Sequence, residues 1–339
     1  MSTQIQPIRE WDNVTREMFE NDIRPLRQPA VIRNARPDWP IVQRGRQSSA
    51  AVVDYLTQFY SGKPIGTLAT PASEKGRIFY NKEINGYNFN RTMQDLRVVL
   101  AKLLELENQP DPPALAMQAV IAPEFLPGFE AENPMPLTPE VEAKLWIGNA
   151  AVVAPHYDIL ENVACVAVGR RRFTLFPPEQ LPNLYVGPLE NTPAGAPISM
   201  VDVRAPDFDI YPRFREALAA AQSAELGPGD AIYIPYMWWH GVEALDHFNI
   251  LVNYWWMDYP DRSKVHPRTA LAVARLAFGD MTAEAKQRWR LMFDHYVFGG
   301  GDEHPMAHVP EHARGMFSNF DEPQMKGLRQ LLARLLNEA

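Results

Sequence analysis

Short apolar runs separated by turn residues fill the chain between about residues 144 and 257. The runs are rich in β-branched and aromatic residues, and Gly, Pro and Asn bound them. A series of such runs along one segment is typical of a β-sandwich or barrel. The pattern therefore predicts a segment that is mainly β, with strands near 145–147, 163–168, 173–176, 231–234 and 250–254.

Helical periodicity and short strands flank this β-rich segment. Residues 92–106 carry one apolar stripe and predict a helix, with Thr92 as its N-cap. Residues 29–33 and 77–80 predict short strands. After Pro260 the pattern predicts three further helices, at 268–278, 282–297 and 323–338.

These changes in pattern divide the chain into regions. Within the β-rich core, residues 187–225 are interpreted as an insert that contains one helix near 212–224. The three regions expected are an N-terminal α/β elaboration that packs on the core, the core itself and a C-terminal helical region, over 1–140, 141–259 and 260–339.

The charge balance excludes some classes of partner. In 339 residues there are 33 Lys and Arg against 41 Asp and Glu, a net charge of −8. This makes a general nucleic-acid binder unlikely and disfavours attraction to an anionic membrane. No run of 18 apolar residues occurs, and the N-terminus lacks the apolar segment of a secretory signal. The one cysteine, Cys165, fits a reducing compartment and a small core residue, so we expect a cytoplasmic protein.

The candidate chemistry lies in the run Ala154-Pro-His-Tyr-Asp158. Side chains two apart in a strand share a face, so His156 and Asp158 project together. A pair like this often occurs without a metal, but His240 follows a Gly-Pro-Gly-Asp turn and a strand and offers a third ligand. Two imidazoles and one carboxylate are the set that non-haem iron(II) oxygenases use, and the lack of a thiolate argues against structural zinc.

The motifs around these residues resemble a known family. Their succession is similar to the cupin-like, Jumonji-C-related branch of 2-oxoglutarate and Fe(II)-dependent oxygenases, which includes the asparaginyl hydroxylase that inhibits hypoxia-inducible factor. The resemblance covers roughly residues 144–257. It rests on His156-Tyr-Asp158, Asn162, Gly169–Gln180, Leu184-Tyr185, Gly227–Asp230, Tyr233-Ile-Pro235, Trp238-Trp-His240 and Val252–Trp255.

The resemblance implies a fold, a metal and a reaction. The fold would be mainly β with flanking helices around a double-stranded β-helix, the jelly-roll core of cupins. His156, Asp158 and His240 would be the Fe(II) ligands, with 2-oxoglutarate as co-substrate. The expected reaction is hydroxylation of a substrate C–H with release of succinate and CO₂.

The same resemblance implies roles for residues around the co-substrate. Arg171 would bind the distal carboxylate of 2-oxoglutarate, where the asparaginyl hydroxylase has lysine. Asn162 and Asn253 would lie near the co-substrate, and Trp255 would form part of the pocket wall. Val153 stands where that relative has a hydroxyl side chain that helps to bind the carboxylate.

Two other functions stay open because of Val153. The chain could be a cupin-type metal-binding protein, or a cupin enzyme that does not use 2-oxoglutarate. The substrate would be a small molecule or a protein side chain. The leucine stripe at 328–336 would either cover the core or meet a second copy of itself, which would make a homodimer through the C-terminal helices.

A second group of histidines lies near the C-terminus. His304, His308 and His312 have the spacing of ligands on one helix face. Pro305 and Pro310 interrupt the stretch, so we expect a loop with incidental histidines.

Overall fold

A computed structural model describes residues 5–261, 263–299 and 304–338. The chain divides into two compact units, Met1–Asp258 and Tyr259–Ala339. In the described part of the chain, no helix is long and apolar enough to cross a membrane.

The first unit is built on two mixed sheets. The larger sheet has nine strands in the order β2-β3-β13-β10-β15-β8-β7-β4-β6, and the smaller has six in the order β1-β12-β11-β14-β9-β5. Two mixed sheets with flanking helices agree with the fold class predicted from the sequence. The strands are β1 (Gln6–Pro7), β2 (Arg9–Asp12), β3 (Ala30–Arg33), β4 (Ile65–Thr70), β5 (Arg77–Ile78), β6 (Asn90–Gln94), β7 (Ala114–Ile121), β8 (Ala143–Gly148), β9 (Val152–Tyr157), β10 (Glu161–Val168), β11 (Arg171–Phe176), β12 (Gln222–Leu226), β13 (Ala231–Ile234), β14 (Trp239–Ala244) and β15 (Asn249–Trp256).

Helices of the first unit are short and lie between the strands in the sequence. They are α1 (Arg16–Met18), α2 (Pro40–Gln47), α3 (Ser49–Phe59), α4 (Leu96–Leu106), α5 (Ala122–Phe125), α6 (Phe129–Glu132) and α7 (Phe214–Ala219), with a π-helical turn at Phe19–Ile23 and 3-10 turns at Arg24–Leu26, Ala72–Glu74 and Pro178–Asn183.

Strand β10 shows where the core lies. All eight of its residues are buried, because its two faces pack into different clusters. Ala164 and Val166 join side chains from both sheets, including Phe173 and Leu175 of the smaller sheet. Cys165 lies on the opposite face in the cluster that includes α2, α3 and α4, and burial raises the pKa of its thiol. A strand that is covered on both faces has a continuous run of apolar residues in its sequence. The run at 163–168, from which this strand was predicted, is of that kind.

The predicted helix at 92–106 begins later than expected. Helix α4 starts at Leu96, and its N-cap is Asp95, whose carboxylate accepts from the Arg97 amide at 2.8 Å. Thr92 instead lies in β6, opposite Thr67 of β4. The pairing with β4 takes precedence over helical periodicity there, and Met93 is left 66% exposed.

Two other predicted elements are also shorter in the structure. The helix near 212–224 is α7, which ends at Ala219, because Gln222–Leu226 pairs with β11 as part of the smaller sheet. The insert predicted over 187–225 is therefore too long at its end, because its last residues belong to strand β12 of the smaller sheet. The strand predicted at 77–80 is β5, which spans Arg77–Ile78.

The second unit contains the three predicted C-terminal helices. They are α8 (Pro267–Phe278), α9 (Ala283–Tyr296) and α10 (Glu322–Glu338). The hydroxyl of Thr282 caps α9 by accepting from the Ala285 amide at 3.2 Å, so this helix begins where the sequence predicted. The Nε2 of His304 donates to the Phe317 carbonyl at 3.0 Å. The region around the three histidines has only 3-10 turns at Glu311–Ala313 and Gly315–Phe317, as expected for a loop.

Candidate metal centre

Three of the predicted site residues come together where two strands of the smaller sheet pair. His156 lies near the end of β9, and Asp158 follows that strand directly. His240 lies in β14 and is the register partner of His156. One ligand atom from each of the three residues lies within 4.8 Å of the others, and the His240 Nε2 is 3.6 Å from a carboxylate oxygen of Asp158.

Backbone carbonyls fix the tautomer of both imidazoles. The Nδ1 of His156 lies 3.0 Å from the carbonyl of Ala154, and the Nδ1 of His240 lies 3.0 Å from the carbonyl of Trp238. A carbonyl only accepts, so each Nδ1 must carry the proton and donate it. The Nε2 of each neutral ring then keeps a lone pair, which is the state a metal ligand needs.

Burial also keeps His240 neutral. Desolvation, together with the neighbouring His156, lowers the pKa of His240 to about 4, although Asp158 opposes the shift. At neutral pH this imidazole is therefore uncharged and able to bind a cation. Two imidazoles and a carboxylate form a donor set that fits Fe(II).

Arg171 lines the same cavity as the three candidate ligands. Its Nη2 donates to the Trp146 carbonyl at 3.2 Å, while its buried Nε has no partner among the described residues. Burial lowers the pKa of Arg171 to about 10, so the side chain is still a cation at neutral pH. Its neighbours Arg170 and Arg172 form ion pairs on the exposed side of the strand. An inward arginine between two outward ones follows the alternation of side chains along a strand.

The wall of this cavity carries further polar atoms without partners. The side-chain Nδ2 of Asn253 donates to the side-chain Oδ1 of Asn162 at 3.0 Å. The Oδ1 of Asn253 has no hydrogen-bond partner among the described residues. Within the described residues, the indole N–H groups of Trp146 and Trp255 are also buried without acceptors. Buried polar groups normally have partners. Together with Arg171, these groups offer three donors to an oxygen-rich anion, which fits 2-oxoglutarate.

A buried carboxylate fixes the start of β10 beside the cavity. Glu161 accepts from the Tyr233 hydroxyl at 2.6 Å and from the Arg27 guanidinium at 3.0 Å. It also accepts from the amide of Tyr236 at 3.3 Å. These contacts join β10 to β13 and to the segment before His240, and they hold Asn162 in place.

Gln118 lines the cavity and was missed in the sequence analysis. The register between β7 and β8 shifts between Met117 and Val120, so Gln118 and Ala119 form a bulge. Ala119 has a φ of 52°, a left-handed conformation that L residues rarely adopt. Nothing in the apolar run 114–121 indicates such a bulge.

Comparison with known proteins identifies the family. A family model described as "Cupin-like domain" matches residues 15–262, which is most of the chain. The chain belongs to the cupin-like, Jumonji-C-related family. The cupin-like domain thus extends beyond the resemblance read from the sequence and includes strands β3 to β7.

Individual relatives agree with this assignment. The chain is 27% identical to the tRNA wybutosine-synthesizing protein 5 of Gallus gallus over 277 residues, which are 74% of this chain and 76% of that protein. It is 29% identical to the JmjC domain-containing protein D of Dictyostelium discoideum over 237 residues, 67% of this chain and 51% of that protein. The lysine-specific demethylase JMJ31 of Arabidopsis thaliana is 36% identical over 112 residues, which are 33% of this chain and 20% of that protein.

Proposed function

We propose that this protein is an Fe(II)- and 2-oxoglutarate-dependent oxygenase that hydroxylates a C–H bond of its substrate. The observation that carries the proposal is the position of Arg171. This buried arginine lines the same cavity as His156, Asp158 and His240, and its Nε has no hydrogen-bond partner among the described residues. A cation held out of water needs an anionic partner, and the co-substrate carries carboxylates.

Each residue of the cavity has a role in this proposal. His156, Asp158 and His240 would hold the iron through two imidazoles and one carboxylate. Arg171 binds the distal carboxylate of 2-oxoglutarate through its unpartnered N–H groups, while Asn162 and Asn253 lie beside the co-substrate. The metal, when bound with 2-oxoglutarate and O₂, supplies the oxidation that yields succinate, CO₂ and a hydroxylated product.

The side wall of the cavity limits what else can enter it. Trp255 packs edge-to-face on Trp146, with ring centroids 5.9 Å apart. The Lys144 ammonium lies 5.0 Å from the Trp255 ring. These large side chains exclude water from the iron, which protects the substrate from side reactions.

We propose a small molecule or a protein side chain as the substrate. The relatives' names point to different substrates, tRNA in one and lysine in another. The net charge of −8 weakens attraction to a polyanion such as RNA. A substrate that is not a polyanion therefore fits the chain better.

A turnover assay without any substrate tests the proposal. The Fe(II)-loaded protein is incubated in air with carboxyl-labelled 2-oxoglutarate, and labelled CO₂ is counted. We expect release that requires Fe(II) and disappears in Asp158→Ala, with Asp209→Ala as a matched carboxylate control. Absence of release from the wild type would favour a cupin that binds metal without 2-oxoglutarate turnover. Release that persists in Asp158→Ala would contradict the assignment of the three ligands as the active site.

We also propose that the second unit pairs with a second copy of itself. No residue of α8 or α9 is buried, and four leucines of α10 are about half exposed. An identical stripe on a second copy would be self-complementary, as two-fold interfaces require. The leucines are Leu331, Leu332, Leu335 and Leu336.

A further inference from the structure

A second cavity lies on the opposite face of the smaller sheet from the candidate metal centre. Its volume is about 400 Å³. Alternate residues of β11 separate the two spaces, since Arg171 and Phe173 line the metal cavity while Arg172 and Thr174 line the second one. We call it the outer cavity. None of the residues proposed to bind iron or 2-oxoglutarate lines it.

Two arginines of the outer cavity form close ion pairs with carboxylates, whereas Arg77 interacts with Asp202 and Glu74 at longer range. Arg172 pairs with Glu225 and Glu243, and Arg204 pairs with Asp202 at 2.9 Å. Arg77 has no carboxylate oxygen within 4.0 Å among the described residues, although its Nη2 donates to the Met200 carbonyl at 3.2 Å.

The surroundings of Arg77 hold its guanidinium in a fixed position. Its Cζ lies 3.5 Å from the centroid of the Phe79 ring, so the planar group is held on an aromatic face. Burial lowers the pKa of Arg77, which still leaves a cation at neutral pH. A fixed, partly dehydrated cation binds an anion more strongly than a free surface arginine does.

The rest of the outer cavity is largely apolar. Its apolar lining comes from Ile5, from β9, from β14 and from the segment 201–204. The hydroxyls of Thr174 and Ser223 lie 3.4 Å apart on its floor. A mostly apolar pocket of a few hundred cubic ångströms with a few placed polar groups is typical of a small-molecule site.

We propose that the outer cavity binds a small molecule with an apolar body and a single carboxylate, and that Arg77 binds the carboxylate. The apolar walls would cover the body of the molecule and exclude water from the ion pair. Because Val153 and Val242 line both cavities, the new site is separated from the metal cavity by a single layer of the sheet.

Calorimetric titration with octanoate tests this site. Octanoate has the required apolar body and carboxylate, and octanamide is its neutral counterpart of nearly the same shape. We expect the wild type to bind octanoate about tenfold more tightly than octanamide, as one charge-assisted hydrogen bond provides. Arg77→Gln should remove that preference, Arg77→Lys should restore part of it, and the control Arg46→Gln, on an exposed arginine of α2, should leave it unchanged.

Two further measurements locate the binding. Val203 lies in a loop and lines the outer cavity, so the larger side chain of Val203→Trp should occupy part of the cavity. We expect this variant to bind octanoate about tenfold or more weakly and to bind the metal as the wild type does. His156→Ala should bind octanoate as the wild type does, so the result does not depend on the oxygenase proposal. The site is contradicted if octanoate does not bind, if Arg77→Gln and Val203→Trp bind it normally, or if 2-oxoglutarate with a divalent metal displaces it.

Discussion

Val153 and His156 line the same cavity although they are three residues apart in strand β9. In a regular strand an odd separation places side chains on opposite faces. Here Ala154 and Pro155 together lie opposite Gly241 of β14, so the strand has a bulge of one residue. Proline suits this position, because it has no N–H to donate to the neighbouring strand. The bulge thus brings position 153 to the candidate metal centre.

Val153→Thr should improve co-substrate binding. The new hydroxyl would face the metal cavity and donate to a carboxylate oxygen of 2-oxoglutarate, which we expect to tighten binding about threefold to tenfold. Calorimetry with a redox-inert divalent metal in the site measures the affinity without turnover. Val152→Thr is the matched control, since Val152 lines the outer cavity instead. Equal affinities of Val153→Thr and the wild type would refute the contact.

Arg171→Met should make the metal-free protein more stable and weaken its binding of 2-oxoglutarate. The buried guanidinium has one carbonyl partner and an unpartnered Nε, so its burial destabilises the metal-free protein. We expect the free energy of unfolding to rise by about 1 kcal/mol when an apolar side chain of similar length replaces it. The same change should weaken 2-oxoglutarate binding about tenfold or more.

Chemical denaturation of the metal-free protein measures this effect. Arg172→Met is the control, because Arg172 is a partly exposed residue with two ion pairs and should lose at most about 1 kcal/mol. A less stable Arg171→Met protein, or one that binds 2-oxoglutarate normally, would show that Arg171 has a structural role instead.

Ala119→Gly should stabilise the protein by about 1 kcal/mol. The φ of 52° at Ala119 costs an L residue roughly that amount, whereas glycine adopts it freely. Ala116→Gly in the same strand is the control and should lose stability, because Ala116 is buried at an extended position. Thermal unfolding of both variants would decide the matter, and a decrease for Ala119→Gly would contradict a strained bulge.

Local pattern was enough to predict the fold class and the grouping of the three candidate ligands. The apolar runs mark buried strands, and the i, i+2 spacing of His156 and Asp158 places both side chains at one strand end. His240 joins them because β14 pairs with β9. That pairing cannot be read from spacing, but the turn and strand before His240 marked this residue as a candidate third ligand.

The features that were missed or misplaced depend on contacts between distant segments. Pairing of β6 with β4 displaced the start of the helix expected at Thr92, and pairing of β12 with β11 shortened the helix expected to reach 224. The bulge that turns Gln118 into the cavity lies within an apolar run that reads as a regular strand. Such pairings and irregularities are set by tertiary structure and leave little trace in local periodicity.

Removing the leucine stripe of α10 should make the protein monomeric. Sedimentation of the wild type should give a mass near twice the 38.5 kDa of one chain. The double change Leu332→Glu and Leu335→Glu should give the single-chain mass. The two new carboxylates of one copy would be buried against those of the other across the two-fold axis. Leu181→Glu, at an exposed leucine of the first unit, should leave the mass unchanged. A monomeric wild type would contradict the proposed pairing.

The most direct test of the central claim is anaerobic titration of the metal-free protein with Fe(II) and then with 2-oxoglutarate. A bidentate oxo acid on ferrous iron produces a visible charge-transfer absorption, and no substrate is needed to see it. We expect this absorption in the wild type and in Arg172→Met, its loss in His156→Ala, and a requirement for about tenfold or more 2-oxoglutarate in Arg171→Met. Binding of Fe(II) without any such absorption at saturating 2-oxoglutarate would contradict the oxygenase assignment.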